Sequence, residues 1–294
     1  MTVTTEYAAA KVNLSLHVGS VKANGRHDLQ SLVTFSDKTV SDKLDAQPST
    51  SFSLAVEGPY GRDAGPAKDN LVLQAARALN QALGGNAPPL AFRLTKNLPC
   101  AAGIGGGSAD AAAALRLIIR AHGGDRVMEL AREVAPGLGG DVLACLIGMP
   151  GMMSGEGEVY EPMLGVPVLP AVLVNPGVAC PTGDVFAAFD ASGGEMREHP
   201  LPKAGRARDV EFKDYLEGET VNALQASAQT LVPEIGTVLN ALKATTEVRL
   251  TRMSGSGATC FALFDTLHEA EMAAKALTQA HADWWVAATM LGGG

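Results

Sequence analysis

Val12, Leu14, Leu16 and Val18 alternate with other residues at period two, which predicts a strand with one apolar face. The same alternation returns over residues 51–56, through Phe52, Leu54 and Val56, and over 90–95, through Leu90, Phe92 and Leu94. Between them Leu71, Val72, Ala75, Ala76, Leu79 and Leu83 recur at helical spacing and predict a helix over 69–83. Residues 109–121 are rich in alanine and predict a second helix, opening directly from a cluster of glycines. Later, 171–174 predicts a short buried strand and 232–244 a helix. The chain then runs through a strand at 248–250, a tight turn at 254–257, a strand at 258–264, a helix at 267–281 and a strand at 284–290. This rhythm predicts α+β packing rather than a sandwich or a bundle. Glycine and proline become denser over 153–170, where a second half begins, and the polar stretch 194–214 predicts an exposed connection.

Composition narrows the function classes. The 294 residues are 47% hydrophobic and 18% charged, enough for one large domain or two ordinary ones and too apolar for disorder. Twenty-three basic against 31 acidic residues give a formal charge of −8, which removes the sequence-independent attraction on which nucleic-acid binding rests. A phosphorylated small molecule remains a suitable partner, held by local amides and a few placed cations. No apolar run approaches the roughly 20 residues needed to span a bilayer, so no membrane partner is expected. Residues 1–11 carry no secretory pattern, and a cytoplasmic location is expected. The four cysteines lack CxxC spacing and the six histidines lack HExxH spacing, so reduced thiols are expected and neither a disulfide framework nor a protein-held metal.

Chemistry concentrates in Pro99-Cys-Ala-Ala-Gly-Ile-Gly-Gly-Gly-Ser-Ala-Asp110. Gly103, Gly105, Gly106 and Gly107 let several backbone N–H groups turn into one concavity, and the helix that follows adds unpaired amides and the positive end of its dipole. Such a nest suits a di- or triphosphate. Ser108 fits the helix N-cap and offers its hydroxyl to a phosphate or to Mg²⁺; the plainer alternative is a glycine turn in which Ser108 only caps. No Lys-Ser or Lys-Thr follows, so this is not a Walker A loop, and Ser108 stands where the third glycine of G-x-G-x-x-G belongs. Asp110 is expected in the first helical turn, where dipole stabilisation suits it.

Three separated segments together resemble the GHMP family of small-molecule kinases: Ala10-Lys-Val-Asn-Leu14, the glycine segment 98–112, and Arg252-Met-Ser-Gly-Ser-Gly-Ala-Thr-Cys-Phe261. Four more segments, at 24–31, 69–72, 139–142 and 181–186, point to the branch that phosphorylates the 2-hydroxyl of a cytidine-diphosphate sugar-alcohol in non-mevalonate isoprenoid synthesis. The likeness covers essentially the whole chain. It implies a two-domain α+β fold: an ATP-binding, ribosomal-protein-S5-like α/β domain over 1–155 and a ferredoxin-like α+β domain over 156–294, with the active site between them. ATP and Mg²⁺ are the implied cofactors, and a monomer or homodimer the implied assembly.

The resemblance also assigns residues. Asp141 matches the catalytic base, and Lys11 the lysine that keeps it ionised and polarises the acceptor hydroxyl. Helix capping by Asp141 and a surface position for Lys11 are the plain alternatives. Asn70, Lys96, Pro99, the four loop glycines and Ser108 match nucleotide-side positions. Asn13, Thr182, Gly255, Ser256 and Gly257 match substrate-side positions, although Gly-Ser-Gly equally suits a hairpin turn. His27 and Phe186 are expected around the cytosine, or else as a loop residue and simple core. Arg26 replaces the family's stacking aromatic, a role a guanidinium can also fill. Ala223-Leu-Gln225 follows Asn222 where the family tends to carry an acidic residue. The other readings are a family kinase for mevalonate, homoserine or a sugar, and a catalytically silent nucleotide-binding module.

Overall fold

The computed structural model describes residues 3–194 and 209–292. Among them the strands are β1 (Thr4–Ala9), β2 (Lys11–Asn13), β3 (His17–Val21), β4 (His27–Phe35), β5 (Ser41–Pro48), β6 (Ser53–Glu57), β7 (Leu90–Thr95), β8 (Gly151–Gly155), β9 (Val159–Pro162), β10 (Leu169–Asn175), β11 (Leu250–Met253), β12 (Cys260–Leu263) and β13 (Trp285–Leu291). The helices are α1 (Leu71–Ala82), α2 (Gly106–His122), α3 (Asp125–Leu138), α4 (Val142–Ile147), α5 (Thr182–Ala191), α6 (Asp209–Glu219), α7 (Gln225–Leu231), α8 (Pro233–Lys243) and α9 (Leu267–Ala280). No helix among the described residues is long and apolar enough to cross a membrane. Most of the polar stretch 194–214 lies outside the described residues, and its last part, from Asp209, is helical.

The chain forms two compact units that interleave in sequence. One comprises Met1–Ala10, Val40–Cys100 and Gly105–Gly148; the other comprises Lys11–Thr39, Ala101–Ile104 and Met149–Gly294. The last crossing falls at Gly148/Met149, a few residues before 155, and earlier crossings give residues 11–39 to the unit that holds most of the C-terminal half.

The first unit has the sheet order β1-β5-β7-β6, with β6 and β7 parallel across α1 and the other pairs antiparallel. Asn70 starts α1 by accepting the Val72 N–H on Oδ1 at 3.0 Å. Helix α2 packs against β1, β5, α1, α3 and α4, so it is covered on nearly every side. Its alanines at 109 and 111–114 are all buried, and small side chains let these neighbours approach closely. The helix begins at Gly106, three residues before the alanine run, and its N-cap is Gly105, left-handed at φ 62°. Ser108 is therefore inside the first turn and does not cap it. Asp110 falls beyond that turn, so the dipole role expected for it does not apply.

The second unit holds two sheets: β2-β4-β8-β9, with β3 also on β4, and the all-antiparallel β11-β12-β10-β13. The alternating run at 12–18 is split rather than continuous. β2 and β3 both pair with β4, while Leu16 between them bridges to Asn222 and exchanges backbone hydrogen bonds with Val221 and Ala223. All eight residues from 11 to 18 are buried, so both faces are covered instead of one. Leu16 and Val18 join Val172, Val174, Ile235, Leu239 and Phe264 in one apolar core. A capping box between Thr266 and Glu269 starts α9, which packs on β10 and β13.

Candidate active site

In the second unit the three motifs meet through one serine. Ser254, in the turn between β11 and β12, accepts the Asn13 N–H at 3.1 Å and donates to the Gly103 carbonyl at 3.0 Å. Lys11 N–H donates to the Ile104 carbonyl at 2.9 Å, and Thr259 N–H to the Ala102 carbonyl at 3.1 Å. The hairpin reading of Gly-Ser-Gly therefore holds, and the same turn lies against the glycine loop. Gly103 has a steric reason to be glycine: at φ 76° a Cβ there would stand 2.5 Å from the Ser254 carbonyl oxygen and 2.7 Å from that of Gly257. Asn222 braces the turn by donating to the carbonyls of Met253 (2.7 Å) and Gly255 (2.8 Å).

Lys11 is buried, contrary to the surface alternative, and its ammonium donates to Asn13 Oδ1 at 2.8 Å, so the two side chains share a face as expected. The Asn13 amide in turn donates to Ser31 Oγ at 2.7 Å. Gln225, within the stretch after Asn222 where an acid is expected, accepts the Met253 N–H on Oε1 at 2.9 Å. An amide oxygen serves that contact without a charge.

The residues expected around a cytosine also come together in this unit. The His27 and Phe186 rings stack with centroids 5.4 Å apart and planes 28° apart, and Phe189 meets His27 edge-on at 6.0 Å. His27 Nδ1 lies 3.0 Å from the Gly19 carbonyl. Its Nε2 is 3.0 Å from Asp190 Oδ1, close enough for an ion pair but not aligned for a hydrogen bond. The spacing between His27 and Phe186 is too small to admit a third ring, so a base stacked on Phe186 must take its other face. Arg26 is 72% exposed and paired with Glu156 at 3.2 Å. Asn24 donates to Glu156 at 2.8 Å and, against burial and helped by Arg26, draws that carboxylate's pKa below its usual value. The Thr182 hydroxyl, at the start of α5, sits 2.8 Å from that of Ser256.

The first unit carries the residues expected on the nucleotide side, except Gly103, which belongs to the second. Gly106 is buried, while Gly107 is exposed, with no left-handed φ and only Leu71 Cδ1 at 3.6 Å from a would-be Cβ. Neither strain nor crowding requires glycine at 107, which suits close approach of a ligand. Pro99 is buried and Ser108 half-buried. Asn70 uses its Oδ1 to cap α1. Asp141 occupies the N-cap position of α4 without a capping hydrogen bond from its side chain, so capping does not explain it.

Lys96 is caged. Its ammonium, 3% exposed, donates to Asp110 Oδ2 at 2.7 Å and to Asp42 Oδ2, with both carboxylates at 2% exposure or less. Burial opposes its charge, but Asp110 and Asp42 prevail and raise its pKa. Burial pushes Asp110 up to about 7 against the pull of Lys96, with Asp42 adding to the rise.

Sequence reading missed Asp42, Ser254 and Asn222 as parts of this arrangement, along with Arg252. The Arg252 guanidinium is buried and donates to the carbonyls of Leu14, Leu216 and Thr220 and to the Thr220 hydroxyl; burial lowers its pKa to about 10. Ser254 and Arg252 stood inside a quoted motif, and Asn222 marked a family position, whereas Asp42 had no local signal.

This fold and these joined motifs define a GHMP kinase: the chain belongs to that family. The model described as GHMP kinases N terminal domain matches residues 70–149, and GHMP kinases C terminal matches 204–283. The chain is 51% identical to 4-diphosphocytidyl-2-C-methyl-D-erythritol kinase of Hyphomonas neptunium, with 97% of this chain and 96% of that one covered. It is 46% identical to the protein of the same name from Caulobacter sp. (strain K31), with 98% of each covered. A crystal structure of 4-(cytidine 5'-diphospho)-2C-methyl-D-erythritol kinase superposes with a TM-score of 0.77 at 33% identity, covering 99% of this chain and 100% of that one.

Proposed function

We propose that this kinase transfers the γ-phosphoryl group of ATP to the 2-hydroxyl of 4-diphosphocytidyl-2-C-methyl-D-erythritol, a step of non-mevalonate isoprenoid synthesis. The relatives' names support the acceptor. The observation that carries the chemistry is Ser254, whose hydroxyl ties Asn13 of the first motif to Gly103 of the second from its own place in the third. In the transfer, the acceptor oxygen bonds to the γ-phosphorus, the bond to the β–γ bridging oxygen breaks, and ADP leaves. Asp141 takes the hydroxyl proton, and Lys11, steadied by Asn13, supplies positive charge beside the reacting groups. Exposed Gly107 and the amides of the first turn of α2 receive phosphate oxygens. Mg²⁺ travels with ATP and would offset the phosphate charge; the Ser108 hydroxyl is the loop's own oxygen donor for it. Among the described residues no three His, Cys, Asp or Glu side chains gather in a group that could hold an ion.

An ATP-consumption assay over a panel of alcohols tests the proposal. The cytidine-diphosphate acceptor should be used far in preference to mevalonate, homoserine or a sugar, and a preference for any of these would overturn it.

Arg26 and Phe186 provide the stacking surfaces for the base. Arg26→Ala should raise KM for the cytidine substrate about 5- to 150-fold, the worth of one base-stacking contact, and leave KM for ATP alone. Arg26→Tyr should bind at least as well as the parent. Unchanged KM in Arg26→Ala would leave the base to Phe186 and His27.

A further inference from the structure

The Lys96 cage joins three elements around the nucleotide loop. Asp42 stands on β5 and Asp110 on α2, and Lys96 directly follows β7. Asp42 Oδ1 accepts the N–H groups of Asn97 (2.6 Å) and Leu98 (2.8 Å), the residues that lead into the loop. Its other oxygen and Asp110 Oδ2 hold the ammonium. A Cβ on Gly106, the first residue of α2, would stand 3.1 Å from Lys96 Nζ, so the ammonium lies immediately behind the helix's first turn. Asp110 Oδ1 is buried and takes no hydrogen bond, so this carboxylate is kept out of water with half its acceptor capacity unused. Such a group is costly unless its partner secures something else.

We propose that Asp42, Lys96 and Asp110 form a positioning cluster for the nucleotide, fixing the spacing between the loop's entry at 97–98 and the first turn of α2 without touching ATP. The inference rests on the ATP-binding reading above. It assigns Lys96 a different task from the direct nucleotide contact that the family resemblance suggests. With two carboxylates already on the ammonium, at most one of its three N–H groups remains for anything else.

Asp110→Asn and Asp110→Ala test it, because both leave Lys96 paired with Asp42 as a charge-balanced pair. Calorimetric ATP binding and steady-state kinetics are measured on the full chain, with melting monitored in parallel. The expected result is a rise on the order of 10-fold in Kd and KM for ATP, larger for Ala than for Asn, with the acceptor KM and kcat at saturating ATP within about twofold. Tighter ATP binding would overturn the proposal, since a lysine contacting the nucleotide gains when a competing carboxylate is removed. Unchanged affinity would also overturn it, as would a loss of activity that follows only the folded fraction, the behaviour of a purely structural cluster. Should Asp110→Ala fail to fold, the Asp110→Asn affinities decide alone; should both fail, Asp110→Ser, which keeps an acceptor for Lys96, is measured against the same limits. A wild-type protein that binds no ATP would sink the kinase reading together with this inference, whereas normal wild-type binding with unaltered variants sinks the inference alone.

Discussion

Asp141→Asn should lower kcat by about 10²–10⁴-fold, the usual worth of a positioned general base, with little change in the Kd for ATP. The amide matches the carboxylate in size and shape but can neither take the acceptor's proton nor carry its charge. The Asp141 side chain accepts no capping hydrogen bond from α4, so the replacement removes no helix cap, and melting is measured beside turnover. That separates a chemical role from a structural one. Turnover close to wild type in Asp141→Asn would remove the residue from the mechanism, and equal losses in turnover and thermal stability would make it a structural aspartate.

Gly103→Ala destabilises the protein by about 2–5 kcal/mol. Holding a non-glycine residue at left-handed φ costs roughly 1–2 kcal/mol, and crowding against a well-packed neighbour typically costs about 1–3 kcal/mol more. All three atoms met by the new Cβ, the carbonyl oxygens of Ser254 and Gly257 and the Gly257 nitrogen, are backbone and cannot rotate aside. The hairpin turn must therefore shift, carrying with it the serine that joins the motifs. Denaturant titration reads the loss directly, and Gly107→Ala is the control: its Cβ meets only Leu71, so it should melt with the parent while weakening ATP binding. Equal midpoints for Gly103→Ala and the parent would mean that the loop and the turn are not so close.

Local rules made much of this legible. Helix α1 and strand β7 fall almost where periodicity puts them, because each buries one face and starts or stops on a local signal such as Asn70. The alternation at 12–18 marked its apolar residues as buried but showed neither that the positions between them are buried too nor that Leu16 leaves β4 for Asn222, since periodicity carries no record of which strand is the partner. Strand β4 escaped prediction because Ser31, Leu32, Val33, Thr34 and Phe35 are buried in succession and show no period at all. The start of α2 was misplaced because a left-handed glycine, rather than a capping serine, ends the loop. Lys11 and Asp141 stand out only by motif resemblance, as neither has a physical signature in its immediate neighbours. Asp42 was invisible because its partner Lys96 lies 54 residues away, and a buried ion cluster leaves no mark on the sequence around either member.

The interleaving of the two units bears on how such a chain can be divided. A cut at 155 leaves β8 on one fragment and its hairpin partner β9 on the other. It also strands Leu16 and Val18, whose fellow buried members of that apolar core all lie beyond residue 170. Each fragment would leave part of that divided core uncovered, so a cut at 155 does not yield two portable modules. Recombination between relatives should respect the crossings after Ala10, Thr39, Cys100, Ile104 and Gly148, where the chain changes units, and a library of chimaeras joined there should yield more soluble protein than one joined at the midpoint.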